Sequence, residues 1–470
     1  MKKMMTWVLA ATLICGSSVF TSCSHSEDNP MPEPAKKNRT AFVQHTRSAL
    51  KELAENLNFT SWEAANTFNT YFNQHVLSNP EFKNSVLLAA FLQAMNTLKD
   101  VEEGSEMAAM GYKKYITVDL NDFKYRFTMK ADNKNFDKEE ADNFEIILNG
   151  FNPKTQQFEN GLYKLSFKTS GVGMQRIVPI PNTDNVGCIL YIVPSEFQFS
   201  LASKFTGDWH DDFSGVLHFQ LPEGATDNSK GFAADATINS DIFSNDGKKD
   251  NTQLTVSVVA DRVNSKGNTQ IGYVQNGRKM LDMTMKLDGI APAGTSIFDR
   301  SQYTTSSSIL DVISTLLTGR SLEEGTITLL DDLTFTFSIS DMQKRLELAR
   351  ENHKARRHYA DQQTIDQYTQ QLNEIIKASM ICKGVDQTIP MRLVTTKFGI
   401  DYVSMPSFNF ADENGYVSLI DLLDAESVQY GINILDHSVE PLQQSVIVVR
   451  QLLEFVTTFT KSVEFPLAKE

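Results

Sequence analysis

Between Tyr112 and Leu287 the apolar residues recur at every second position, and this alternation constrains the fold more than any other feature of the chain. Phe123, Tyr125, Phe127 and Met129 alternate with Lys124, Arg126 and Thr128, and Tyr163, Leu165 and Phe167 alternate with Lys164, Ser166 and Lys168. The same pattern runs through Phe197, Phe199 and Leu201; Leu217, Phe219 and Leu221; Leu254, Val256 and Val258; and Leu281, Met283, Met285 and Leu287. Successive side chains of a strand point to opposite faces, so each run has one apolar and one polar face. A sheet with one wet face is antiparallel, whereas parallel sheets are covered on both sides and show unbroken apolar runs. Residues 111–300 are therefore read as an antiparallel β domain, a meander, sandwich or open barrel.

Helical spacing flanks this region. Leu50, Leu53 and Leu57, then Phe68, Tyr71, Phe72 and Val76 behind the capping Ser61, then Val86 to Leu98, make residues 40–110 a helical segment broken at Asn79-Pro80. After the sheet, residues 301–470 read as a mixed α+β part. It holds a short helix at Ser306–Leu317, a strand through Leu333, Phe335, Phe337 and Ile339, and another near Arg392–Phe398. Residues 341–380 are nearly free of Gly and Pro and carry a broken apolar stripe, which predicts a long helical hairpin turning near 357–362. A last helix is expected from about Glu440 to Ser462. The fold class is α+β.

The first residues give an address. Lys2 and Lys3 precede an apolar run from Trp7 to Ile14 that is too short to span a bilayer, and Phe20-Thr21-Ser22-Cys23 follows. This arrangement resembles the signal peptide and lipobox of bacterial lipoproteins, with residues 1–22 removed and Cys23 acylated. The acidic Ser24-His25-Ser26-Glu27-Asp28 resembles the export tail of Bacteroidota-type lipoproteins carried to the outer membrane surface. The resemblance implies a lipid-anchored protein of the outer membrane, at the cell surface or facing the periplasm, whose membrane contact is its N-terminal lipid. Two or three acyl chains hold a protein nearly permanently. Residues 23–39 are read as a tether, because Pro30, Pro32 and Pro34 favour extended backbone.

Charge narrows the partners. The formal net charge is −14, and loss of Lys2 and Lys3 with the signal would take it to −16. Nucleic acid is not expected as a partner, since the one dense basic run, Lys344 to Arg357, is interleaved with Glu347 and Glu351 and reads as a solvated helix face. Of the four cysteines, Cys188 and Cys382 remain in the folded body. Their strand and helix-end contexts favour two separately buried thiols over a disulfide.

No nucleophile elbow, zinc-protease helix, phosphate loop or paired Cys-x-x-Cys is present in the sequence. No cofactor or metal is therefore expected. Glycosidases need only two carboxylates brought together in space, so a polysaccharide hydrolase stays as the alternative to a non-enzymatic ligand-binding or envelope-assembly component. The densest candidate site is Asp208, Trp209, His210, Asp211 and Asp212, with Gly207 before it. An indole face stacks on a sugar ring while carboxylates accept hydroxyl hydrogen bonds, and three aspartates also suit calcium; a solvated hairpin loop with the indole folded onto the core explains the same residues. The partner is then a glycan or an envelope protein. His353 and His358 are spaced five apart, which separates their rings by about 140° on a helix and reads as surface histidines. Asp241–Asp250 has Phe243 where a calcium ligand belongs and reads as a turn. His218 alternates with Leu217 and Phe219, on a polar strand face where it could look toward His210.

Overall fold

The computed structural model describes residues 33–430, apart from 57–69, 181–186, 224–229, 244–248, 289–321, 352–360, 411–414 and positions 71, 96, 153, 206, 342, 343, 346, 349, 350, 386, 399, 400 and 428. The expected helices at 306–317 and 440–462 and the pair His353 and His358 lie outside them. Contacts divide the described residues into a central unit, 70–263, and a C-terminal unit of 33–56, 264–288 and 322–430.

The central unit holds β1 (Lys99–Asp100), β2 (Lys114–Asp119), β3 (Tyr125–Met129), β4 (Phe136–Glu140), β5 (Phe144–Asn152), β6 (Gln157–Ser170), β7 (Met174–Pro179), β8 (Gly187–Val193), β9 (Glu196–Ser203), β10 (His210–Gln220), β11 (Gly231–Phe243) and β12 (Lys249–Asp261). Four of these form a small sheet in the order β1-β2-β8-β7, and the rest run β12-β11-β10-β9-β6-β5-β3-β4. The alternation is realised as one buried face. Phe127, Ile146, Leu165, Phe199 and Leu201 are each at most 3% exposed, while Lys168, Gln198 and His218 lie exposed on the other face. The Phe123, Phe127, Phe144 and Phe167 rings pack in sequence across adjacent strands, with centroids 5.1–6.3 Å apart. Each buried ring contributes about 2 kcal/mol by loss of apolar surface to water.

Two pairings correct the expectation of an antiparallel sheet throughout. β2 lies parallel to β8, and β3 parallel to β5. β4 folds back outside β3, so β5 can enter the sheet only on the other side of β3 and in the same direction. Alternation reports which face is buried and is blind to strand direction.

Asn79-Pro80, read from the sequence as a helix break, also starts the next helix. Pro80 opens Pro80–Met95, and the Asn79 Oδ1 accepts from the Glu81 and Phe82 amides at 3.0 and 3.3 Å. Its Nδ2 donates to the Lys134 carbonyl at 2.9 Å, tying the helix start to the β3–β4 turn. Asp132, in that turn, accepts from the Lys134 and Asn135 amides, and these bonds hold its carboxyl down at about 2.

The C-terminal unit is a meander of β13 (Lys266–Gln275), β14 (Arg278–Asp288), β15 (Leu322–Leu329), β16 (Leu333–Ile339), β17 (Ile376–Cys382), β18 (Ile389–Phe398), β19 (Asp401–Phe408) and β20 (Val417–Ser418), each antiparallel to the next. The helix Glu33–Asn56 packs here, with Phe42 fully buried against Phe408 and Phe410 at 4.9 and 5.4 Å. It begins within the stretch expected to be an extended tether. Pro34 occupies its first turn, where a missing amide costs nothing, and Ala35, Lys36 and Lys37 are good helix formers.

The long helical hairpin also departs from expectation. Helix Gln362–Ile375 ends at Ile375, and Ile376–Cys382 is strand paired with β16. Leu348 packs on Leu372 and Ile375, and the turn expected near 357–362 lies almost wholly outside the described residues. At the helix end the Asn373 side chain bonds both the Leu393 amide and carbonyl, at 2.9 and 2.7 Å, standing in for a strand neighbour where β17 leaves β18.

Gly215 sits opposite Phe199 in the β10–β9 register, and the ring lies over its missing side chain: a Cβ there would stand 2.6 Å from the ring and from the Thr237 carbonyl oxygen. Gly215→Val should cost about 2–3 kcal/mol of stability, read as a lower urea midpoint at an unchanged m-value. An unchanged midpoint would mean that the Phe199 ring is elsewhere.

Candidate functional site

The candidate site is built where β6, β9 and β10 lie side by side. Tyr163 pairs with Ser203 and Lys164 with Ala202 across β6–β9, while Ser203 pairs with His210 and Ala202 with Asp211 across β9–β10. Lys164, Ala202 and Asp211 therefore share one face of the sheet. After β9, the Lys204 amide bonds the Leu162 carbonyl at 2.9 Å and the Phe205 ring packs on Tyr163 at 5.7 Å. Gly207, at φ +98°, lets the chain reverse with no side chain to strain it.

Trp209 is 37% exposed at this turn. The Lys164 and Lys204 ammonium groups lie 5.0 and 5.9 Å from its ring centroid, a cation–π distance for both. Asp208, His210 and Asp211 are exposed, and the His210 Nδ1 bonds the Asp211 carbonyl at 2.8 Å.

Asp212 behaves differently. The register slips between Asp211 and Phe213, so Asp212 is the extra residue of a β-bulge and is half-buried. Its Oδ1 accepts from the Ser203 hydroxyl at 3.0 Å. Burial pushes its carboxyl up to about 6; the Ser203 bond and His210 oppose this, and Asp211 adds to it.

The five residues singled out in sequence thus gather in one turn, but Asp212 faces inward while the other four face water. The two lysines were not legible as partners of Trp209. Lys204 is five residues upstream, and Lys164 arrives only through the β6–β9 pairing. His218 does not look toward His210. Its Nδ1 meets the Asp235 Oδ2 at 2.8 Å, and its Nε2 is 3.7 Å from the Glu196 Oε2, the two register partners of its own strand position. Phe243 and Lys249 pair across the β11–β12 hairpin, and the connecting residues 244–248 lie outside the described set. Among the described residues no group of three His, Cys, Asp or Glu side chains is placed to hold a metal. Cys188 and Cys382 are buried free thiols, and burial, with Asp332 adding to it, pushes Cys382 up to about 12.

No family model matches the chain, and no curated protein matches it in sequence. Among solved structures, a porin-like protein from Bacteroides vulgatus ATCC 8482 is similar at 8% identity over 51% of this chain and 94% of its own, with a TM-score of 0.13. So low a score carries no argument about fold or function.

The pH dependence of Asp212 follows from its position. A carboxyl raised in the folded state binds its proton more tightly than in the unfolded chain. Its contribution is therefore complete at low pH and is lost as pH rises through about 6. Asp212→Asn keeps the acceptor for Ser203 and removes the charge. At pH 8 it should raise stability by about 1–2 kcal/mol, and at pH 4 it should change little. An equal effect at both pH values in thermal melts would contradict the buried carboxyl.

Proposed function

We propose that this is a lipid-anchored cell-envelope protein, held in the outer membrane by acylated Cys23 and displayed at the cell surface, whose folded body binds an extracellular ligand without transforming it. The anchor rests on the order of Lys2, Lys3, the Trp7–Ile14 run and Cys23. Among the described residues no helix is long and apolar enough to cross a membrane, which leaves the lipid as the anchor of this reading and says nothing of strands that cross.

The binding role rests on Trp209. A partly exposed indole at a turn, with two ammonium groups over its ring and the exposed Asp208 and Asp211 next to it in sequence, offers what a sugar needs: an apolar surface to stack on and polar groups for its hydroxyls. The reading therefore takes a glycan as the ligand. An envelope protein docking on the same surface is the other form it takes.

One observation favours the polysaccharide hydrolase. A carboxyl that titrates near 6 beside a second aspartate suits a general acid, and Asp212 with Asp211 meets that description in charge, though the acid of a glycosidase also needs a partner carboxylate across the substrate. Reducing-sugar release by wild type, abolished in Asp212→Asn, would establish this second reading in place of the first.

Cys23→Ser should move the protein from the membrane fraction to the soluble fraction, since no other anchor is invoked. Persistent membrane association would contradict lipid anchoring. Glu27→Ala with Asp28→Ala should lower protease accessibility on intact cells and leave lipidation unchanged. On a glycan array, Trp209→Ala should cost about 1–3 kcal/mol of affinity with the melting temperature nearly unchanged. A large fall in melting temperature would place the ring in the core instead.

A further inference from the structure

We infer that the Trp209 turn selects an anionic pyranose, a sugar residue bearing a carboxylate or a sulfate, through Lys164 and Lys204. The inference rests on the reading of Trp209 as a glycan platform and adds the charge of the sugar.

Two cations converge on one ring. The Lys164 and Lys204 ammonium groups lie 5.0 and 5.9 Å from the same indole centroid, so both fall within the footprint of a short oligosaccharide laid on that ring. Lys164 lies on β6 and Lys204 just past the end of β9, and they are brought together by the pairing of Lys164 with Ala202, two positions before Lys204. Several other lysines of this acidic chain are neutralised by carboxylates. Lys130 meets Asp137 at 2.8 Å, Lys279 meets Asp282 at 2.9 Å, and Lys344 meets Glu374 at 2.8 Å. Among the described residues neither Lys164 nor Lys204 forms such a pair, although Asp208 and Asp211 belong to the same turn. Among the described residues the charge of both is offset by the ring alone, which leaves a local excess of positive charge.

An anion held at the indole edge relieves it better. The apolar face of a pyranose covers the ring, and its carboxylate or sulfate takes charge-assisted hydrogen bonds from ammonium groups that no side chain has claimed. Lysine is a mobile point charge without the fixed fork of arginine, so it accepts either anion without fixing its orientation. A neutral sugar would stack as well and leave both charges unanswered. Asp208 and Asp211, exposed and next to Trp209 in sequence, can accept hydroxyl hydrogen bonds from the rest of the sugar.

The test uses the mature full chain carrying Cys23→Ser and three octasaccharide probes of equal length: oligogalacturonide, a sulfated heparin fragment and a neutral galactan. Calorimetry should show either anionic probe binding about tenfold or more tighter than the neutral one at low salt, with the difference shrinking as sodium chloride approaches about 0.5 M. Lys164→Met and Lys204→Met should each lower affinity for the anionic probes about fivefold and for the neutral one by clearly less, so that the ratio between them falls. Trp209→Ala should weaken all three. Which anionic probe binds more tightly distinguishes carboxylate from sulfate. Equal binding of anionic and neutral probes, lost together in Trp209→Ala, would overturn the charge selection and leave the glycan platform standing. An anionic preference that survives both lysine changes would overturn the role of the lysines. Absence of binding by every probe would overturn the platform and this inference together.

Discussion

The register of β6 against β9 is the constraint on which the candidate site depends. It sets Tyr163 opposite Ser203 and Lys164 opposite Ala202. A slip of one residue would exchange the faces of the whole strand, sending Lys164 into the core and Tyr163, now 1% exposed, into water. Register is strongly held here because Leu165 and Phe167 pair with Leu201 and Phe199 on the buried face. The stacked apolar rows of the core thus determine which polar groups meet on the opposite side. The β-bulge at Asp212 is the one local departure, and it gives that turn an inward carboxyl beside outward ones.

Strand identity was legible because burial on one face writes itself directly into the sequence with a period of two. Phe335, Phe337 and Ile339 announced β16, and Leu217 with Phe219 announced β10. Pairing direction was not, since Phe127 and Ile146 would look the same in either orientation. The break at Asn79-Pro80 was readable because the proline ring acts locally, whereas the cap that Asn79 gives the following helix was not read. Long-range competition misled in two places. Ile375, Ile376 and Met380 fit a helical stripe, yet after Ile375 the open edge of β16 offers backbone partners that the helix cannot match, and β-branched Ile376 suits a strand. Pro34 looked like a mark of extended chain and instead sits in the first turn of a helix, which the buried Phe42 holds against Phe408.

The candidate site was half legible. Asp208 to Asp212 are contiguous, so their clustering cost nothing to see, while the inward turn of Asp212 depends on a bulge that no local pattern marks. The lysines lie 45 and five positions from Trp209 in sequence, and their convergence exists only after three strands have assembled. What gives the turn its chemical character, two cations over one indole, is therefore a property of the sheet more than of the loop.

Tryptophan fluorescence reports on that character most directly. With residues 1–22 removed as proposed, Trp62→Phe would leave Trp209 as the sole indole. The account predicts that oligogalacturonide shifts the Trp209 emission saturably, shields it from acrylamide, and does both over the concentration range in which calorimetry records binding. Calorimetric binding with the Trp209 emission and its quenching unchanged would place the ligand elsewhere and contradict the account.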